Sequence, residues 1–373
     1  MYALVNGKIF DGDKFLDNKV LVIENDKIVK ISNVIPEEIE VIDLKGKIVT
    51  SGFIDNQING CGGVLFNDEV SLKTLNIMKE TNLKSGTTSF LPTLITTIDE
   101  NIEKALELFK NTEDMEQYGV LGLHIEGPYI SLEKKGIHNP KFIRVMSDEI
   151  IKKIAEHGKY IKTMTIAPEK AKVEHLDMLK KSGIPLAIGH TNATYDEVME
   201  KISYYSNVTH LFNAMRGLDT REPGVIGAVF ENKNLYSGII VDGIHVHFKS
   251  VKIAKEILGD KLYLVTDAVA PTGTNMEFFM FEGNKVLYKD GKCISPDGTL
   301  GGSSLTMIEG VQNLVKHVGL TVEEALRMAT SLPAKAIGVE NRFGFIKENY
   351  EANLVVLTEN LEIDTVIFRG KRV

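Results

Sequence analysis

The sequence predicts an α/β protein built on a (β/α)8 TIM barrel, with a small β-sandwich formed by both chain termini. Three observations carry that expectation. First, eight short apolar runs recur through the middle of the chain, ending near Asp55, Pro92, Glu126, Pro168, His190, His210, Asp242 and Asp267. Their spacing averages about 30 residues, the length of one βαβ unit. Second, amphipathic helical stretches lie between the runs. One is LKTLNIMKETNLKSG, with Ser71 placed as N-cap and Gly86 past its last turn; another is EEALRMATSLPAKAIGV. Uninterrupted apolar strands alternating with helices imply a parallel sheet buried on both faces. Third, the two ends read differently. LVNGKIF, KVLVIENDKIVKI and IDTVIFRGKRV are strand segments, with Asn6-Gly7 and Asn25-Asp26 at turns. The expected units are therefore residues 1–48 with 345–373 as the sandwich and 49–344 as the barrel. A glycine-rich insertion after Asp267, FFMFEGNKVLYKDGKCISPDGTLGG, reads as a hairpin.

Composition narrows the function classes. With 373 residues, 43% hydrophobic and 25% charged, the chain is globular, which excludes disorder, collagen and coiled coil. A net charge of −8 argues against nucleic acid as a partner, because general nucleic-acid binding needs a basic face. The apolar runs fall far short of the roughly 18 residues of a membrane span. The opening MYALVNGKIFDG lacks a basic segment followed by an apolar one, so no signal peptide is expected. Two cysteines, Cys61 and Cys293, suit a reducing compartment, and the expected location is cytoplasmic.

Barrel chemistry sits at the C-terminal ends of the strands. Four of those ends carry groups that bind metals or move protons: Glu126, His190, His210 and Asp267. One carboxylate and two imidazoles with a position left open is the ligand count of a catalytic zinc site. With neutral histidines, that set leaves a divalent ion a net positive charge, which acidifies a bound water. Asp267 would then exchange that water's proton with a leaving group. His124, two residues before Glu126, belongs either beneath the ligands or to the core. His157, His175 and His317 read as surface residues, and His247 as exposed. Cys61 reads as no ligand; Asp55, Asp11, Asp13 and Asp26 read as structural. A non-catalytic scaffold would leave those four filled positions without a purpose. A metal-free isomerase would not explain a Glu and two His at one mouth.

Eight segments occur in order: SGFIDNQINGCGG, GTTSFLPTL, LGLHIEGPYIS followed by KKGIHNP, IGHTNATYDE, VTHLFNAMRGL, IVDGIHV, LVTDAVAPTG and GGSSLTMIEG. On these the chain resembles the amidohydrolase superfamily and, within it, the N-acetylglucosamine-6-phosphate deacetylase family, over essentially its whole length. The resemblance implies hydrolysis of the N-acetyl group of an amino sugar 6-phosphate. It implies that Glu126, His190 and His210 hold one divalent metal, most simply Zn2+ with Fe2+ or Co2+ as alternatives, and that Asp267 is the general acid/base. It further implies substrate contacts from His138 and His245, phosphate contacts from Asn213, Ala214 and Arg221, and an acetyl pocket lined by Met307. Arg221 is then expected from a neighbouring subunit, which makes the chain a homodimer. Many superfamily members carry His-x-His at the first strand end, where this chain has Gln57-Ile58-Asn59. One tight metal is therefore expected, with a second, weaker ion near Asp267 left open. The choice between N-acetylglucosamine and N-acetylgalactosamine 6-phosphates stays open too.

Overall fold

Each of the eight apolar runs forms a strand, and together they make one parallel sheet in sequence order. The strands are β1 (Phe53–Ile58), β2 (Thr87–Ile95), β3 (Leu123–Glu126), β4 (Ile161–Ile166), β5 (Leu186–Ile188), β6 (Tyr205–Val208), β7 (Tyr236–Ile239) and β8 (Leu262–Leu264). The coordinates are those of a computed structural model describing residues 1–281 and 283–373. All six residues of β1 and all nine of β2 are buried, as strands covered inside and outside must be. β2 runs past Pro92 to Ile95, and the pairing with β1 shifts register between Phe90 and Pro92. A residue with no N–H to give is tolerated at such an irregularity. β8 stops at Leu264, so the barrel closes just beyond it. Asp267 donates its N–H to the Gln57 carbonyl (2.9 Å), and Asn59 donates to Ala268 (2.9 Å).

The first helix covers Leu72–Leu83, with the Ser71 hydroxyl accepting the Thr74 N–H at 3.2 Å. The stretch EEALRMATSLPAKAIGV, read as one helix, is two: Val322–Ala329 and Ser331–Ala336. Pro333 explains the break, because it has no N–H for the Ala329 carbonyl and its ring would collide with it in a continuous helix. His175, expected at the surface, is 3% exposed. Its Nε2 meets Asp148 Oδ1 at 2.7 Å, which ties the helix Val173–Lys181 to the helix Asp148–Glu156. His317 is exposed and stacks on Phe248.

The insertion after Asp267 is a four-stranded antiparallel meander: Phe278–Phe281, Asn284–Lys289, Lys292–Ile294 and Leu300–Ser303. The single expected hairpin is only its middle, turning at Asp290-Gly291 with positive φ at both residues. Phe279, Phe281, Val286 and Cys293 face inward and pack with Leu65, Ile95 and Val269. That packing seats the meander over one side of the barrel mouth.

Two sheets make the small β unit. Val20–Glu24, Lys27–Ser32, Tyr2–Val5 and Glu40–Asp43 form one of them. The other joins Lys8–Phe10, Phe15–Leu16 and Ile48–Ser51 to the C-terminal strands Leu354–Leu357, Ile363–Phe368 and Lys371–Arg372. Leu4, Ile9, Leu21, Val49, Leu354 and Ile367 share their core. Ile48–Ser51 pairs with Leu354–Leu357, so the sheet extends to Ser51 before the chain enters β1. Among the described residues no helix is long and apolar enough to cross a membrane.

Candidate active site

Glu126 is the last residue of β3 and is level with Ile95 of β2 and Thr165 of β4. His190 and His210 follow β5 and β6 by two residues, and Asp267 follows β8 by three. His190, His210 and Asp267 all have left-handed backbones, with φ of 48°, 29° and 52°. That conformation costs a non-glycine residue on the order of 1–3 kcal/mol, so surrounding contacts must hold it. They do. The His190 carbonyl accepts the Ser131 N–H at 2.8 Å, the His210 carbonyl accepts the Asn213 N–H at 2.9 Å, and Asp267 is bonded through its N–H to Gln57 and through its carbonyl to Ser303. Before His190 only glycine fits, since a Cβ on Gly189 would lie 2.7 Å from Thr165 and 2.8 Å from Thr209.

These turns bring three buried side chains to one point. Glu126 Oε1 lies 3.1 Å from His190 Nε2 and 3.0 Å from His210 Nε2, and the two Nε2 atoms are 3.0 Å apart. His190 Nδ1 is 2.8 Å from the Lys134 carbonyl, which can only accept, so Nδ1 carries the hydrogen and Nε2 presents a lone pair. His210 Nδ1 is buried with no hydrogen-bond partner among the described residues. Two imidazole nitrogens and a carboxylate oxygen, converging with lone pairs inward, form a donor set that fits a divalent cation. Burial disfavours ionised Glu126, yet the two imidazoles against its carboxyl, at 3.1 and 3.0 Å, outweigh it and hold that carboxyl well below its usual range. Burial likewise pulls His210 down, and the bonded Glu126 carboxylate pushes it up overall.

Asp267 sits beside this cluster. Its Oδ1 accepts two side-chain amides, from Asn59 at 2.7 Å and Gln57 at 3.2 Å. The same Gln57 Nε2 also reaches Glu126 Oε1 at 3.2 Å, bridging the two carboxylates. Gln57 and Asn59 thus occupy the first strand end as donors to acids. Sequence reading missed that role; its signal was the neutral Gln-x-Asn in place of His-x-His. Burial, then repulsion by Glu126, raises the Asp267 carboxyl above the ordinary aspartate range.

The cluster opens into a cavity of about 550 Å³. His138, Asn213, Ala214 and His245 line it with Glu126, His190, His210 and Asp267. His138 Nδ1 is 2.7 Å from the Thr96 hydroxyl, and its ring lies 4.3 Å from that of His190. His245 Nδ1 is 2.6 Å from Asp242 Oδ2. Burial opposes ionisation of Asp242, but this bond and the N–H groups of Ile244 and His245 hold its carboxyl below the usual range. Further lining comes from the Leu132–Ile137 loop, including Lys134 and Lys135, and from Phe281, Asp297, Thr299 and Leu300 of the meander. Arg221 is exposed and outside this lining. Met307 is fully buried in the first turn of the helix Met307–Asn313, also outside the lining. His247 is exposed, and Cys61 is buried against Met78 and Asn82, away from the cluster.

His124 lies inside the barrel beneath the cluster, between the hydroxyls of Thr93 (3.2 Å) and Thr165 (2.8 Å). Burial pushes its pKa down to about 4, so it is neutral in the folded chain at pH 7. Below about 6.5 the unfolded chain takes up a proton that the folded one refuses, so this residue's contribution to stability falls as pH drops toward 4. The shift corresponds to about 3 kcal/mol. Urea unfolding of His124→Gln should show a shallower loss of stability between pH 7 and 4 than the unsubstituted chain; identical slopes would contradict this.

The amidohydrolase family model matches residues 48–373, and a NagA composite domain model matches residues 1–49. An N-acetylglucosamine-6-phosphate deacetylase of Haemophilus influenzae is 43% identical, covering 99% of this chain and 98% of that protein. An N-acetylgalactosamine-6-phosphate deacetylase of a Shewanella species is 35% identical, covering 87% and 82%. Among solved structures, N-acetylglucosamine-6-phosphate deacetylase from Pasteurella multocida superposes with a TM-score of 0.96 at 43% identity, covering 100% of this chain and 99% of that one.

Proposed function

The chain belongs to the amidohydrolase family, and from that membership and its near full-length relatives we infer that it is an N-acetylglucosamine-6-phosphate deacetylase of amino sugar catabolism. It hydrolyses the N-acetyl amide to glucosamine 6-phosphate and acetate. The observation that carries the reading is the convergence of Glu126, His190 and His210 beside Asp267 at the floor of one cavity. Glu126, His190 and His210 are the residues that would hold a divalent metal, for which zinc is our assignment. Such an ion, when bound, supplies Lewis-acid chemistry, polarising the amide carbonyl and acidifying a water.

The chain's own residues do the rest. Because both amide donors take Asp267 Oδ1, Oδ2 is the oxygen that exchanges protons. It accepts a proton from the attacking water as the new C–O bond forms. It then delivers that proton to the amide nitrogen as the C–N bond breaks, so the amine leaves neutral beside acetic acid, which loses the water's second proton to solvent and departs as acetate. His138 and His245, each held through Nδ1, would orient the sugar. Asn213 and Ala214 would meet the phosphate, whose binding energy positions the distant amide. Arg221, outside its own chain's cavity, would complete the phosphate site of a neighbouring copy, since an arginine fork suits a phosphate and the net charge of −8 repels one. Met307 would support the acetyl pocket from behind the lining.

The experiment that tests the reading is acetate release from the two epimeric substrates. We expect kcat/KM for N-acetylglucosamine 6-phosphate to exceed that for N-acetylgalactosamine 6-phosphate by at least about tenfold, a difference of one oriented hydroxyl contact. A reversed ratio would reassign the substrate, and no acetate from either would overturn the deacetylase reading.

A further inference from the structure

Deepening the deacetylase reading, on which it rests, we propose that Asp55 is a positioning residue for Asp267: its carboxylate locks the barrel seam and so fixes where the acid/base side chain points. Asp55 lies within β1 and is 1% exposed. Its Oδ1 accepts the N–H of Gln57 and the N–H of Thr266, both at 3.2 Å, and its Oδ2 meets the Thr266 hydroxyl at 2.5 Å. The Thr266 hydroxyl in turn accepts the Ala268 N–H at 3.1 Å, and the Thr266 carbonyl accepts the Ser303 hydroxyl at 2.6 Å. Asp267 is therefore held between two residues that are themselves tied down.

The placement matters because the seam has no regular ladder at this point. β8 ends at Leu264, and the Thr266 N–H, which a strand carbonyl would otherwise accept, goes to the Asp55 side chain instead. On the other side of the seam Asp55 holds the backbone of Gln57. That residue's carbonyl accepts the Asp267 N–H, and its amide touches Asp267 Oδ1. One carboxylate thus grips the residue before Asp267 and the residue that contacts it. A buried carboxylate is costly without such bonds, and a left-handed Asp267 backbone needs neighbours that over-determine it. Asp55 is neither one of the three clustered donors nor part of the cavity lining, so its effect reaches the reaction through Thr266 and Gln57, the residues that hold Asp267.

Three variants of the full-length, metal-loaded chain test this: Asp55→Asn, Thr266→Val and Thr266→Ser. Each is measured for kcat, KM, metal per chain and thermal midpoint. Misplacing the acid/base should lower kcat of Asp55→Asn and Thr266→Val at least about tenfold, with KM within about twofold and metal content unchanged. Thr266→Ser, which keeps the hydroxyl, should recover kcat to within about threefold. The proposal is overturned if Asp55→Asn and Thr266→Val lower only the thermal midpoint, or lose activity in proportion to lost metal. Should Asp55→Asn not fold, the Val and Ser variants at Thr266 decide alone. An inactive unsubstituted chain would sink the deacetylase reading, whereas an active one with equally active variants sinks this proposal.

Discussion

Replacing Asp267 by Asn should lower acetate release by a factor of about 10² to 10⁴ while leaving metal content unchanged. Asparagine keeps the side-chain shape and can still accept from Asn59 and Gln57 through its oxygen. It cannot take up a proton. The carboxyl is raised above the ordinary aspartate range by burial and by Glu126, and this fixes the sign of the pH dependence. A base must be ionised to accept the water's proton, so kcat should fall as pH drops through the raised Asp267 pKa, at a higher pH than for an ordinary aspartate. In Asp267→Asn the residual rate should lose that acid limb. A pH–rate profile of both chains at saturating substrate checks this, and activity within tenfold of the unsubstituted chain would remove Asp267 from the proton pathway.

Replacing His210 by Ala should empty the metal site and reduce acetate release more than about 10³-fold, since Lewis-acid assistance supplies several kcal/mol of barrier lowering. The three donor atoms lie within 4.8 Å of one another, and the loss of one imidazole leaves Glu126 and His190 as a pair. The folded chain should also lose a ligand-linked gain in stability, about 4 kcal/mol when free metal exceeds its Kd a thousandfold. Thermal melts with and without added zinc should therefore differ for the unsubstituted chain and coincide for His210→Ala. A zinc-dependent shift of equal size in both would place the bound ion elsewhere.

The barrel was legible because its strands are continuous apolar runs at a regular spacing, and Glu126, His190, His210 and Asp267 follow from the rule that barrel chemistry lies at strand ends. What stayed hidden depends on contacts distant in sequence. His175 looks like a surface residue on its helix until Asp148 of another helix covers it. The meander looked like a hairpin because only the Asp290-Gly291 turn has a strong local signature; its outer strands are fixed by packing on Leu65, Ile95 and Val269. Asp55 looked structural because its partner Thr266 lies across the barrel seam, at the other end of the domain. Gln57 and Asn59 stand in the sequence where many superfamily members have His-x-His; that their amides converge on Asp267 is legible only in the closed barrel.

Titration of chelated, metal-free protein with zinc, following both bound metal and acetate release from N-acetylglucosamine 6-phosphate, tests the central claim most directly. Activity should be negligible at the start, rise in step with bound zinc, and break sharply at one ion per chain, the capacity of Glu126, His190 and His210 with Gln57 and Asn59 at the first strand end. Acetate release that is undiminished without metal, or a break only at two ions per chain, would contradict it.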